Sequence, residues 1–337
     1  METAVTLVEE YRGGVLENIN AGHICGVDDR GKVIFSAGDP EWVTYMRSAA
    51  KPIQALPAVM NGCIETFGLT DREAALMLAS HRAEPYHVEA LESMRRKIGI
   101  EEERLVCAPS YPLGPDARDD MLRQSKSKRK LYHNCSGKHM GVLALCKKRG
   151  YPLDGYNKQD HPAQRAIAET AAYLSECPTD RFHTGVDGCG LPVFAMPLRH
   201  MAVMYMKLAC PDRVDAEPVG RAAARVASLM TAHREMISAP WHICPTLLAD
   251  PNIVAKGGAK GVYCFGLRKE RIAFALKVLD GTEEKWSYII ASILEQIGYG
   301  NRETIERMYA LSPTELRSDA GDAVGLNKAV FTLKAAE

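Results

Sequence analysis

Gly261-Val262-Tyr263-Cys264-Phe265-Gly266-Leu267 runs through Arg268-Lys269-Glu270 into Ile272-Ala273-Phe274-Ala275-Leu276-Lys277-Val278. Two runs rich in β-branched and aromatic residues around a short polar break read as a β-hairpin. Near the other end, Ile24, Val27, Val33 and Phe35 flank Asp28-Asp29-Arg30-Gly31, a second hairpin signal. Between them the periodicity changes. Thr70-Asp71-Arg72-Glu73 is a capping box ahead of Ala74, Leu76, Met77 and Leu78. Val88, Leu91, Met94 and Ile98 follow helical spacing and stop at Gly99. His161-Pro162 opens a helix through about Leu174 with Asp160 as the expected cap, and Pro218 precedes an alanine-rich helix from Val219 to about Met236. After the C-terminal hairpin, Trp286, Ile289, Ile290, Ile293, Leu294 and Ile297 form one apolar stripe ended by Gly298. Strands at both ends with helices between them do not alternate as βαβ units do. The expected fold is therefore α+β: an antiparallel sheet built from both termini, flanked by helices, with a largely helical middle.

A chain of 337 residues fits one large domain or two closely packed lobes. Its 46% hydrophobic and 25% charged residues suit a soluble globular enzyme. With 42 basic against 42 acidic side chains there is no net pull toward nucleic acid or an anionic membrane. The basic run Lys126 to Lys130 lacks interleaved aromatics and reads as a solvated loop. No stretch has the length of a membrane span, and Met1-Glu2-Thr3-Ala4-Val5 does not open a secretory leader. The 10 cysteines are scattered singly, which points to reduced thiols and a cytoplasmic setting. No repeat and no phosphate-binding glycine loop is found; Gly257-Gly258-Ala259-Lys260-Gly261 lacks the required spacing.

Ser48-Ala49-Ala50-Lys51-Pro52 carries the first chemical signal. A serine and a lysine three apart share one helix face, where an unprotonated amine can activate the hydroxyl. Ser-x-x-Lys also occurs at Ser125 and Ser127, but in the solvated basic run. Ser48 instead precedes Ile53, Ala55, Leu56, Ala58, Val59 and Met60, a buried helix that stops at Asn61-Gly62, with Pro52 in its first turn and Pro57 as an expected kink or early end. The same pattern occurs in serine enzymes that attack amide carbonyls through an acyl-enzyme. A small-residue helix start with a surface lysine is the competing reading.

Asn134-Cys135-Ser136-Gly137-Lys138-His139 and Asp187-Gly188-Cys189-Gly190-Leu191-Pro192 form the second. Two thiolates and a nitrogen suit a tetrahedral zinc site, with His139 the donor favoured by spacing. Cys135 with His139 as base is a second option, and two buried structural cysteines a third.

Arg47-Ser48-Ala49-Ala50-Lys51-Pro52-Ile53-Gln54, Ala79-Ser80-His81 and the two cysteine motifs together resemble the asparaginase II family, the rhizobial-type serine-lysine L-asparaginases, in order and separation along nearly the whole chain. The resemblance implies a single catalytic domain over 1–337 with a serine β-lactamase- and penicillin-binding-protein-like fold. It implies a homodimer that hydrolyses L-asparagine to L-aspartate and ammonia. It implies catalysis by Ser48 with Lys51, and by Ser80 with a lysine mapped onto Lys260, which begins a strand as the Lys-Thr-Gly lysine does in β-lactamases. It also implies zinc, not acting as the catalytic centre, on Cys135, Lys138 and Cys189 in place of the histidine. Arg47, Asp187 and His139 are then left as substrate-binding candidates. Arg82-Ala83-Glu84 departs from the family pattern, where a glycine is expected soon after Ser80-His81. A related serine-lysine amidase or glutaminase is the nearer alternative; a zinc-dependent binding or thiol protein with an inert Ser48 is the farther one.

Overall fold

The structure, a computed structural model, describes residues 3–335. The chain divides into two compact units, one formed by 1–49, 196–209 and 246–337 and the other by 50–195 and 210–245. The first holds the sheet. Its antiparallel order is Glu315–Arg317, Ala323–Ala329, Val5–Arg12, Val15–Val27, Ile272–Val278, Val262–Leu267 and Ile253–Gly257, with Val33–Ala37 branching from Val15–Val27 to Lys334–Ala335. Both expected hairpins are present: Ile24 pairs with Ala37, and Phe265 pairs with Phe274. Strands from both termini therefore meet in one sheet, as the end-loaded strand signals predict.

Two helices cover this sheet. Leu198–Ala209 packs on the Val262–Leu267 and Ile272–Val278 strands. Trp286–Gln296 supplies its apolar stripe, and Trp286 meets the Tyr263 ring edge-on at 5.2 Å. Stacking of Phe274 between Phe35 at 6.1 Å and Phe265 at 5.2 Å continues the core across three strands.

The second unit is mainly helical. Lys51–Met60 is its central helix, packed against Ser136–Arg149, Pro162–Ser175 and Glu217–Ala232. Pro57 lies inside it without ending it early, and the helix stops ahead of Asn61-Gly62 as expected. Residues Lys51 to Ala58 are all buried, so tertiary packing offsets the lost N–H. The Thr70 box is observed with both reciprocal bonds, while the cap of Pro162–Ser175 is His161, whose ring accepts from Ala163 N, and not Asp160. His183–Val186 and the following strand form a short hairpin here, with Thr184 opposite Phe194. All ten cysteines are buried, and no disulfide occurs among the described residues.

At the C-terminal side of the first unit, buried Asp250 accepts from Tyr299 Oη (2.7 Å), Thr304 Oγ1 (2.7 Å) and Asn301 Nδ2 (2.9 Å), and Asn252 Nδ2 donates to Tyr299 Oη at 3.1 Å. Burial alone would raise this carboxyl; the hydrogen bonds from Tyr299, Thr304 and Asn301 outweigh it and hold the pKa below the usual value. Asp250→Ala leaves these donors buried without an acceptor and should cost about 2–4 kcal/mol. Urea unfolding of the variant checks this, and a loss under about 0.5 kcal/mol contradicts the role assigned to the knot.

Candidate active site

Lys51 opens the central helix and is 0% exposed. Its Nζ lies 2.7 Å from Ala79 O, 2.9 Å from Ser80 Oγ and 3.1 Å from Asn134 O. Burial lowers its pKa, and Lys138 adds to that, while Cys135 and Cys189 oppose it. Ser80 follows the capped helix Asp71–Leu76 and is itself fixed by its N–H to Ile237 O at 2.9 Å. Asn134 reaches Lys51 because Ser136–Arg149 packs tightly on the segment before Ser80. A Cβ on Gly137 would stand 2.2 Å from Leu76 O, so that position of the motif admits no side chain.

One turn along the same helix, Lys138 Nζ lies 3.1 Å from Cys189 Sγ and 3.8 Å from Asp187 Oδ2. Cys189 sits in a tight loop closed by Gly190 N–H to Asp187 O and Asp187 N–H to Leu191 O, both 2.9 Å, with Gly190 at φ 88°. Hydrogen bonding from Cys189 pulls the Cys135 thiol well below its ordinary range against the effect of burial; Lys51 and Lys138 help. For Lys138, burial would lower the pKa, but Cys135, Cys189 and Asp187 together hold it above the usual amine range. Two lysines one cluster apart therefore shift in opposite directions.

Two soft sulfurs and an amine brought together suit a zinc ion, provided the amine gives up its proton. Among the described residues no group of three His, Cys, Asp or Glu side chains is arranged for a metal, so a site here requires Lys138. His139 is not placed as a ligand. It is fully buried, with Nδ1 2.7 Å from Tyr156 Oη, which accepts from Val106 N–H at 3.0 Å.

Ser48 and Arg47 belong to the first unit. Ser48 is half-buried in the single 3-10 turn Arg47–Ala50 that precedes Lys51, and Arg47 has a left-handed φ of 51°. The serine at hydrogen-bond distance from Lys51 inside the second unit is Ser80. Lys260, the lysine expected to pair with Ser80, belongs to the first unit. Lys260 is exposed on the turn between two strands, with φ 58°. Sequence reading passed over Lys256. It is 1% exposed at the penultimate position of the Ile253–Gly257 strand, Nζ donates to Gly257 O at 2.7 Å, and a Cβ on nearby Gly258 would stand 2.6 Å from Met46 O. A lysine followed by Gly257-Gly258 at a strand end was the available signal; Lys260-Gly261 before the next strand drew the reading instead.

Where a glycine was expected after Ser80-His81, Ala83 takes the left-handed conformation at φ 55° and is buried. A left-handed residue with a Cβ there is strained relative to glycine. Arg82 accepts at its carbonyl from Leu113 and Gly114 N–H, which pins the loop from the other side.

Comparison with known proteins places the chain among amidohydrolases that act on small amides. Residues 8–329 match the family described as L-asparaginase II, and the chain belongs to that family. No curated protein is significantly similar to it. Among solved structures it is similar to a β-lactamase from Mycobacterium bovis, with 14% identity, 82% of this chain and 94% of that chain covered, and a TM-score of 0.40. A Bacillus glutaminase matches with 12% identity, 83% and 92% coverage and a TM-score of 0.39.

His81 and His87 are buried beside this site. His81 Nε2 lies 2.9 Å from Ser136 Oγ; His87 accepts from Glu84 N–H and donates to Glu235 O. Burial pushes His87 down to about 4 and His81 well below its usual value. Below about pH 6.5 the unfolded chain takes up protons that the folded histidines refuse. Stability should be full above that pH and fall below it, until His87 protonates in the fold near pH 4. Each histidine contributes a slope of up to about 1.4 kcal/mol per pH unit. Urea midpoints at pH 7.5, 6 and 5 check this, and His87→Gln should flatten the dependence.

Proposed function

We propose that the protein hydrolyses L-asparagine to L-aspartate and ammonia through an acyl-enzyme on Ser48. The observation that supports this most is the buried Lys51 amine with its lowered pKa. A neutral amine has two N–H bonds and one lone pair. Ala79 O and Asn134 O can only accept, so they take the N–H bonds. The lone pair is left for Ser80 Oγ, and Ser80 becomes the hydroxyl through which Lys51 exchanges protons. Ser48, three residues earlier in the chain, attacks the side-chain amide carbon; its proton goes to Lys51, and Ser80 returns a proton to the leaving ammonia. Water then releases aspartate. We assign the second lysine of this machinery to Lys256 and not to Lys260. Arg47 is assigned to the substrate α-carboxylate and Asp187 to its α-ammonium, with His139 kept as a further substrate-binding candidate.

A second reading has Ser80 as the nucleophile, favoured by its 2.9 Å contact with Lys51. Acid-quenched protein incubated with asparagine separates the two by the position of the aspartyl adduct. We expect it on Ser48. Ser48→Ala, Lys51→Met and Lys256→Met should each lose at least about a hundredfold in kcat, because groups acting as a unit fail together. Lys260→Met should stay within about threefold of wild type. Equal ammonia release from glutamine would widen the substrate to both amides.

Zinc is assigned to Cys135, Lys138 and Cys189; when bound it supplies a fixed positive charge and a rigid pocket wall. In its absence the Lys138 ammonium neutralises the same thiolate. Elemental analysis should find zinc retained in His139→Ala and lost in Lys138→Ala, with wild-type affinity falling as pH drops because all three donors must be deprotonated. Chelation should raise KM more than it lowers kcat; zinc retained by Lys138→Ala removes the amine from the ligand set. The homodimer and the cytoplasmic setting implied by the resemblance stand as proposals alongside these.

A further inference from the structure

The turn that carries Ser48 is held in an unfavourable shape. Arg47, a residue with a Cβ, takes a left-handed φ of 51°. Ala49 N–H donates back to Met46 O at 3.1 Å, closing the turn. Strand backbone presses on it from one side, where only a glycine at 258 leaves room for Met46 O. A turn of this kind relaxes unless its surroundings over-determine it.

Tyr205 supplies the hold on the other side. It lies on the Leu198–Ala209 helix, is 0% exposed, and its Oη donates to Ala49 O at 2.7 Å. Phenylalanine would fill the same core volume, so apolar packing gives no reason for the hydroxyl. What the hydroxyl adds is a fixed direction for the carbonyl one residue beyond Ser48.

We propose that Tyr205 is a positioning residue for the nucleophile: by holding the Ala49 carbonyl it sets the direction in which Ser48 Oγ leaves the strained turn. The proposal rests on Ser48 being the acylated serine. Fully buried, Tyr205 does not reach substrate, so its hydroxyl should bear on the geometry of attack and not on binding. Small misplacements of a reacting atom slow a reaction far more than they weaken affinity.

The experiment is Tyr205→Phe, assayed by steady-state kinetics and by acid-quench mass spectrometry of the acyl-enzyme in the full-length protein. Expected are a kcat lower by about tenfold, a KM within about twofold, and a Ser48 adduct that forms more slowly but on every folded molecule. An unchanged kcat overturns the proposal. So does a fall in activity that merely tracks loss of folded protein by near-ultraviolet circular dichroism, since that is a structural role only. An adduct on Ser80 or Cys135 in the wild type refutes the Ser48 reading itself, an outcome separate from either.

Discussion

A fully buried amine is the constraint on which the rest of the site depends. Placing a lysine at 0% exposure costs free energy unless it sheds its charge or finds partners. Lys51 does both. Its nitrogen is surrounded by Ala79 O, Asn134 O and Ser80 Oγ, and burial lowers its pKa. Those oxygens come from two segments remote from Lys51 in sequence, Ala79-Ser80 and Asn134, so the helical unit must be assembled before the lysine has anywhere to go. The central helix, the segment after the Thr70 cap and the Ser136–Arg149 helix are thereby tied at one atom.

Electrostatics next to this point decides what each lysine can be. Lys51 faces carbonyls and a hydroxyl, and burial lowers its pKa. Lys138 faces Cys135, Cys189 and Asp187, and keeps its proton. A zinc ion bound there has to displace that proton, which links metal uptake to pH. The same thiolate that retains the Lys138 proton also tempers the shift at Lys51. Changes at either cysteine should therefore reach the proposed base through space, without any movement of the helix between them.

Local signals in the sequence were read correctly where the physics is local. The Thr70 box works because its two bonds join residues three apart. Hairpins at both ends were legible from strand composition and a short polar break. At Pro57 the early end that propensity allows does not occur, because packing on three neighbouring helices outweighs the penalty, and the helix runs to Met60 ahead of Asn61-Gly62 as its apolar run predicts. Cap assignment at 160–161 failed by one residue, because an imidazole nitrogen can accept the same N–H as a carboxylate.

Residue identity by itself determined the chemistry available: a Ser-x-x-Lys, a second serine, two cysteines with a lysine between them in the motif, and an antiparallel sheet drawn from both ends. Tertiary structure alone decided which serine stands beside Lys51, which of two strand-end lysines is buried, and which nitrogen lies against Cys189. Lys256 and Lys260 show why. Four residues apart in sequence, both precede a glycine, and composition cannot rank them. One is enclosed at the end of a strand; the other projects into solvent from the next turn. Burial is set by what the remainder of the chain places around a residue, and with it go the pKa, the hydrogen bonds and the reactivity.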